Sequence, residues 1–241
     1  MLVIVEIYPG SFFGPSCYCR TTLSGPQYCY GTALSPEPAT DKKDLTVPLC
    51  LASASPRRRA LLNQIKVPFT VLVVDLDETR LPDEPPNQMV VRLASSKATT
   101  AKNWFVEHGK PVPAILGADT CVVIDKEILG KPASRREAVC MLHKLSGQTH
   151  QVYTGIALLS GTAIQTQTVV SEVTFTRLTS AQIENYCDGT EPFDKAGAYA
   201  IQGMGATFIS HISGSYSNIM GLPLHETYAM LTESRLVWVV K

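Results

Sequence analysis

From residue 46 onward the hydrophobic pattern switches repeatedly between a period of two and a period near 3.6, and each switch marks an element. The run 45–51 is apolar and β-leaning. It leads through Ser53 and Ser55, which offer N-cap oxygens, to Pro56 at a first helical position and an apolar stripe of Leu61, Leu62 and Ile65. The same reading predicts a helix over 56–65, a strand over 69–74, a helix over 87–106, a strand over 114–124 and a helix over 134–145. Strands over 148–159 and 165–177 follow, then a helix over 179–187, a Gly-rich segment, a strand over 206–212 and a helix over 222–232. Alternating strands and helices predict an α/β fold. Two strands joined near Ser160-Gly161 read as an antiparallel hairpin, so the sheet is expected to be mixed.

Several polar residues break this pattern. Arg57, Arg58 and Arg59 crowd the first turn of the first helix, where free N–H groups and the positive end of the dipole favour anions, and a bound phosphate would resolve the conflict. A solvated basic turn is the plain alternative. Lys97 falls on the helix face defined by Val90, Leu93, Ala94, Ala98, Ala101 and Phe105, where it either snorkels past the core edge or points at an anion in a cleft. Asp119 interrupts a strand that is otherwise apolar from Ile115 to Ile124. A carboxylate there must be paired, hydrogen-bonded or metal-bound, with Lys131 as one structural partner to consider. The segment from Asp194 to Gly205 has too many glycines for a helix and too few charges for a linker. It reads as a shaped loop, in which Gln202 offers an amide donor and acceptor suited to a base edge, or as a tight turn between core elements.

Composition narrows the class. With 241 residues, 45% apolar and 17% charged, the chain can bury the core of one α/β domain or two tightly packed lobes. Twenty-one basic residues balance twenty-one acidic ones, so no overall field recruits nucleic acid or an anionic membrane. No apolar run is long enough to span a bilayer, and the N-terminus lacks the basic flank of a secretory signal, which predicts a cytoplasmic protein. Seven cysteines in no disulfide-like spacing read as reduced thiols; a zinc cluster of Cys17, Cys19, Cys29 and Cys50 has irregular spacing and no histidine among its members. Residues 1–44 are rich in Gly, Pro, Ser, Tyr and Cys without a sustained period. They are expected to form a poorly ordered extension, with natural translation starting near Leu45 or Val47, ahead of one domain over 45–241. Val74-Asp75-Leu76-Asp77-Glu78-Thr79 resembles the Asp-x-Asp-x-Thr signature of haloacid-dehalogenase-type phosphatases, with Asp75 as nucleophile, but the late acidic pair such enzymes need is missing and the arginine turn stays unexplained.

Six separated motifs, taken in order, resemble the Maf family of nucleoside triphosphate pyrophosphatases. They are Ser53-Ala54-Ser55-Pro56-Arg57-Arg58, Glu78 with Lys97, Gly117-Ala118-Asp119-Thr120, Gly130-Lys131-Pro132, Leu145-Ser146-Gly147 and Asp194-Lys195-Ala196-Gly197-Ala198-Tyr199. The last, with Gln202, is similar to the dTTP/UTP branch, although Ala200 stands where that branch commonly has glycine. The resemblance implies an elongated mixed sheet flanked by helices, two lobes around a central cleft, as in inosine triphosphate pyrophosphatase-like folds. It implies hydrolysis of dTTP, UTP and modified pyrimidine triphosphates between the α and β phosphates, removal of non-canonical nucleotides, and a homodimer. By resemblance Asp119 accepts the proton of the attacking water, Arg57, Thr120 and Gln202 govern substrate choice, and Ser53, Arg57, Arg58, Lys97 and Lys131 hold phosphates. Glu78 and Asp119 would hold Mg²⁺ or Mn²⁺, which prefer oxygen ligands. Family members are also associated with inhibition of septum formation, so a nucleotide-binding regulator without turnover is the competing reading.

Overall fold

The computed structural model describes residues 5–8 and 49–237. Its order is β1 (Val5–Tyr8), β2 (Leu49–Ala52), α1 (Pro56–Gln64), β3 (Phe69–Leu72), α2 (Pro86–Glu107), β4 (Ala114–Ile124), β5 (Glu127–Leu129) and α3 (Arg135–Leu145). β6 (Thr149–Ser160), β7 (Ala163–Phe175), α4 (Ser180–Cys187), β8 (Ile209–Ser213), α5 (Tyr216–Ile219) and α6 (Leu224–Glu233) complete it. The strands form one mixed sheet in the order β1-β3-β2-β4-β6-β7-β8, with β5 paired to β4. β2 lies parallel to both β3 and β4, and the β6–β7 pair is the antiparallel hairpin turning at Gly161. The remainder of 1–44, with Cys17, Cys19 and Cys29, lies outside the described residues; Val5–Tyr8 adds a strand antiparallel to β3.

Local chemistry explains the elements. Pro56 fills the first position of α1, and Ser55 caps it by accepting from Arg58 N over 3.5 Å. Ser134 caps α3, and Thr179 with Gln182 closes a capping box on α4. β2 is buried on both faces: Leu49 and Leu51 join the core under α1 and α6, whereas Cys50 and Ala52 join the core under α2. Two differences from the sequence expectation share one cause. Residues 204–208 form a 3₁₀ turn and β8 starts only at Ile209, while β5 and α5, three and four residues long, are too short to display a period.

Two features of this framework create the cleft. β2 stops at Ala52, paired with Gly117, and β5 takes up the same edge of β4 only from Val122, so residues 118–121 leave a gap in that edge where β2 ends. α1 and α2 cover opposite faces of the sheet there, the switch-point arrangement that favours ligand sites in α/β proteins. In addition α2 lies unusually close to the sheet. A Cβ on Gly117 would sit 2.1 Å from the Ala94 carbonyl oxygen, and one on Gly155 would sit 2.4 Å from that of Val90. Separate apolar cores flank the opening, one of β2, β3, α1 and α6 and the other of α3, α4, β7 and the Gly-rich loop.

Candidate active site

The cleft has a volume of about 560 Å³. Ser53, Arg57, Arg58, Glu78, Lys97, Asp119, Thr120, Lys131 and Gln202, all singled out from sequence, line it together. They arrive from six separate segments, and β4 divides them. Its odd positions face α2, as Gly117 against Ala94 shows, and its even positions face the Gly-rich loop, as Val122 against Gly197 shows. Asp119 and Thr120, adjacent in sequence, therefore enter the cleft from opposite faces of the sheet.

On the α2 side, Lys97 Nζ lies 2.6 Å from Asp119 Oδ1 and 2.6 Å from Glu78 Oε1. The partner of Asp119 is thus Lys97, not Lys131. Burial alone would raise the Glu78 carboxyl, but its hydrogen bond to Lys97 and the charges of Lys97, Lys131 and Arg58 prevail and hold it below the usual glutamate range. Glu78 sits on a loop fastened to α2. Glu84 accepts from Arg92 Nε at 2.6 Å and Nη2 at 2.8 Å, Arg92 Nη2 donates to Thr79 O at 3.2 Å, and Thr79 N donates to Asp77 Oδ1 at 2.9 Å. Asp75 is exposed and does not line the cleft.

Across β4 lies Arg58, the buried member of the arginine turn. Its Nε donates to Gly221 O at 2.7 Å, Nη1 to Ser53 Oγ at 3.1 Å and Nη2 to Thr120 Oγ1 at 3.1 Å. Burial lowers its affinity for its proton, which the nearby Asp119 charge partly restores. The charge conflict at the start of α1 is therefore answered first by the protein itself: Arg58 turns inward, and Arg57 Nη1 pairs with Asp194 Oδ2 at 3.3 Å. Asp194 also pairs with Lys195, bringing another cation to the rim.

The Gly-rich loop is shaped from behind by groups that show no anomaly in the sequence. Glu191 accepts from Tyr186 OH at 2.7 Å, Met204 N at 3.0 Å and Gly205 N at 3.0 Å, and a Cβ on Gly203 would strike its carboxylate at 2.2 Å. With Ala200 N donating to Tyr186 OH at 3.3 Å, these bonds bracket Gln202. Gly197, at φ +71°, packs against Val122 and is tied to Gly130 through Gly197 N to Gly130 O at 3.0 Å, near Lys131. Tyr199 is pinned through its hydroxyl, 2.8 Å from His150 Nε2, and burial raises the phenol's proton affinity.

His150 carries a stability prediction. It is 1% exposed, packs edge-on to Phe175, and burial pushes its imidazole from 6.5 to about 4. Because the folded value is depressed, the unfolded chain binds the extra proton between these pH values, so stability is fully present above about 6.5 and falls as pH drops toward 4. Urea unfolding at pH 7 and pH 4.5 is expected to show an acid loss about 2–3 kcal/mol larger in wild type than in His150→Gln. Equal losses in the two proteins refute the assignment.

Two carboxylates within reach of one ammonium suit a divalent cation that keeps waters and takes substrate phosphate oxygens for its other ligands, so Glu78 and Asp119 fit Mg²⁺ or Mn²⁺. Among the described residues no group of three or more His, Cys, Asp or Glu side chains converges as a metal cage, and no helix is long and apolar enough to cross a membrane. A family model described as Maf-like protein matches residues 48–234. A dTTP/UTP pyrophosphatase of Pseudoalteromonas atlantica (strain T6c) is similar to this chain, 50% identical over 188 residues that cover 78% of this chain and 97% of that protein. Proteins of the same name from Symbiobacterium thermophilum and Escherichia coli (strain K12) are each 48% identical, the first over 185 residues (77% of this chain, 93% of the relative) and the second over 184 (76% and 91%).

Proposed function

Because the chain belongs to the Maf-like protein family, we propose that it hydrolyses dTTP and UTP between the α and β phosphates, releasing nucleoside monophosphate and pyrophosphate. The observation that carries this reading is the joining of a carboxylate–lysine–carboxylate cluster to a cationic rim in one cleft, in a chain half identical to proteins of that name. Arg57, Lys131 and Lys195 supply positive charge for the triphosphate, Arg58 adds its buried charge from behind, and Ser53 contributes a hydroxyl. A divalent cation held by Glu78 and Asp119 would neutralise phosphate charge. Lys97 engages Oδ1 of Asp119, and Oδ2 is the oxygen we assign to orienting the attacking water and taking its proton. Gln202 and Thr120, on the other face of β4, are assigned to the base.

The test is chromatography of products after purified protein meets dTTP, UTP, CTP, ATP and GTP with Mg²⁺ or Mn²⁺. Monophosphate with pyrophosphate, chiefly from dTTP and UTP and only with metal, is the expected result. Orthophosphate with diphosphate overturns the bond assignment, and nucleotide binding without turnover points to a regulator instead. The family resemblance adds a homodimer to this reading, and light scattering on the purified protein tests it.

A further inference from the structure

A chain of hydroxyls behind the cleft fixes which way Thr120 can hydrogen-bond. Arg58 Nη2 donates to Thr120 Oγ1, Thr120 Oγ1 lies 3.0 Å from Thr154 Oγ1, and Thr154 Oγ1 lies 3.0 Å from the Asn218 carbonyl oxygen. A carbonyl only accepts, so the proton in the last contact belongs to Thr154. A hydroxyl has one proton, so the proton between the two threonines belongs to Thr120. Thr120 thus donates inward and accepts from Arg58, and one lone pair is left for the cleft. Thr154 and Asn218 are fully buried, and Asn218 is itself anchored by Nδ2 donating to Val152 O at 3.1 Å and Ser171 Oγ at 2.9 Å. The relay has no slack. Ser53 has the opposite outcome: its Oγ accepts from Ser55 N at 3.2 Å and from Arg58 Nη1, so its proton is what remains, suited to a phosphate oxygen.

We propose that Thr154, acting through Thr120, sets the preference for uracil and thymine over cytosine. Thr120 offers an acceptor on the face of β4 that it shares with the Gln202 loop, opposite the Asp119 face. The imide N–H of uracil or thymine meets that acceptor, whereas cytosine carries a lone pair at the same ring position. Thr154 does not line the cleft and is a positioning residue. The inference rests on the pyrimidine triphosphate reading above.

The experiment measures kcat/KM for UTP, CTP and N3-methyl-UTP on wild type, Thr154→Val and Thr154→Ser. Wild type is expected to favour UTP over both others by about ten- to a hundredfold, the cost of one unmet buried hydrogen bond. In Thr154→Val the Thr120 proton is free to turn outward, so the UTP:CTP ratio falls toward unity, mainly through a gain on CTP. Thr154→Ser keeps the relay hydroxyl and the wild-type ratio. Simple structural damage lowers both substrates and leaves the ratio alone. A folded Thr154→Val with the wild-type ratio overturns the relay. Equal turnover of UTP and N3-methyl-UTP by wild type does so as well, and needs no variant. If wild type cleaves no pyrimidine triphosphate, the reading of function fails separately; calorimetry of UMP against CMP then decides the relay, and equal affinities overturn it.

Discussion

Asp119→Asn is expected to cut turnover of dTTP and UTP by about a thousandfold while nucleotide affinity stays near wild type. The substitution keeps size and shape at a position 8% exposed, so it removes proton-accepting capacity and one negative charge, and little else. The asparagine oxygen still accepts from Lys97, and Glu78 still balances the lysine charge, so no buried cation is orphaned and the fold should persist. Single-turnover kinetics with UTP and equilibrium titration with a non-hydrolysable α,β-imido analogue separate the two effects. Turnover within tenfold of wild type would show that the water is activated elsewhere. A variant that loses affinity as steeply as rate would show Asp119 to be a binding group.

Four residues of this cleft stand out in the sequence because they violate a local rule, whereas Glu78 and Thr120 are reached only through the family resemblance. Arg57 and Arg58 stand at the cation-averse end of a helix, Asp119 interrupts a buried strand, and Lys97 lies on an apolar face. Each is visible within one element, because the rule it breaks depends only on spacing. Thr154, Glu191, Glu84 and Arg92 obey every local rule. A threonine inside a strand and a glutamate before a proline are ordinary, and what they do depends on partners such as Asn218, 64 residues away from Thr154. The fold divides in the same way. The long elements were readable from their periods, including the hairpin of β6 and β7, whereas β5, α5 and the order of the strands depend on pairings that no window of sequence contains. The side of β4 on which each residue falls follows from parity, yet parity gains meaning only once β2 is seen to stop at Ala52 and leave that edge open until β5 joins it at Val122.

Lys97→Met should produce the largest loss of stability in the cleft, together with loss of turnover. The lysine is the common cation of two carboxylates, with its side chain 11% exposed. Methionine fills the volume of its stem and removes the charge, so Asp119 and Glu78 are left facing each other with only the more distant charges of Arg58 and Lys131 to offset them. Removing one partner of a buried ion pair costs about 3–5 kcal/mol, and because the Glu78 side chain is half exposed the lower end applies, a fall in Tm of roughly 10 °C. Glu78 cannot readily swing away, since the Glu84–Arg92 clamp fastens its loop to α2. Mutual repulsion then raises the folded-state pKa of one carboxyl. A group with a raised folded pKa contributes stability below its unfolded value and loses it as pH rises, so the deficit of the variant should shrink between pH 7 and pH 4.5. Added Mn²⁺ should also raise the variant's Tm more than wild type's, because the ion then takes a place that the ammonium no longer contests. Scanning calorimetry at both pH values, with and without Mn²⁺, reads all three effects. A variant as stable as wild type at pH 7 would mean that Lys97 is held by packing of its stem, and that the two carboxylates do not depend on its charge.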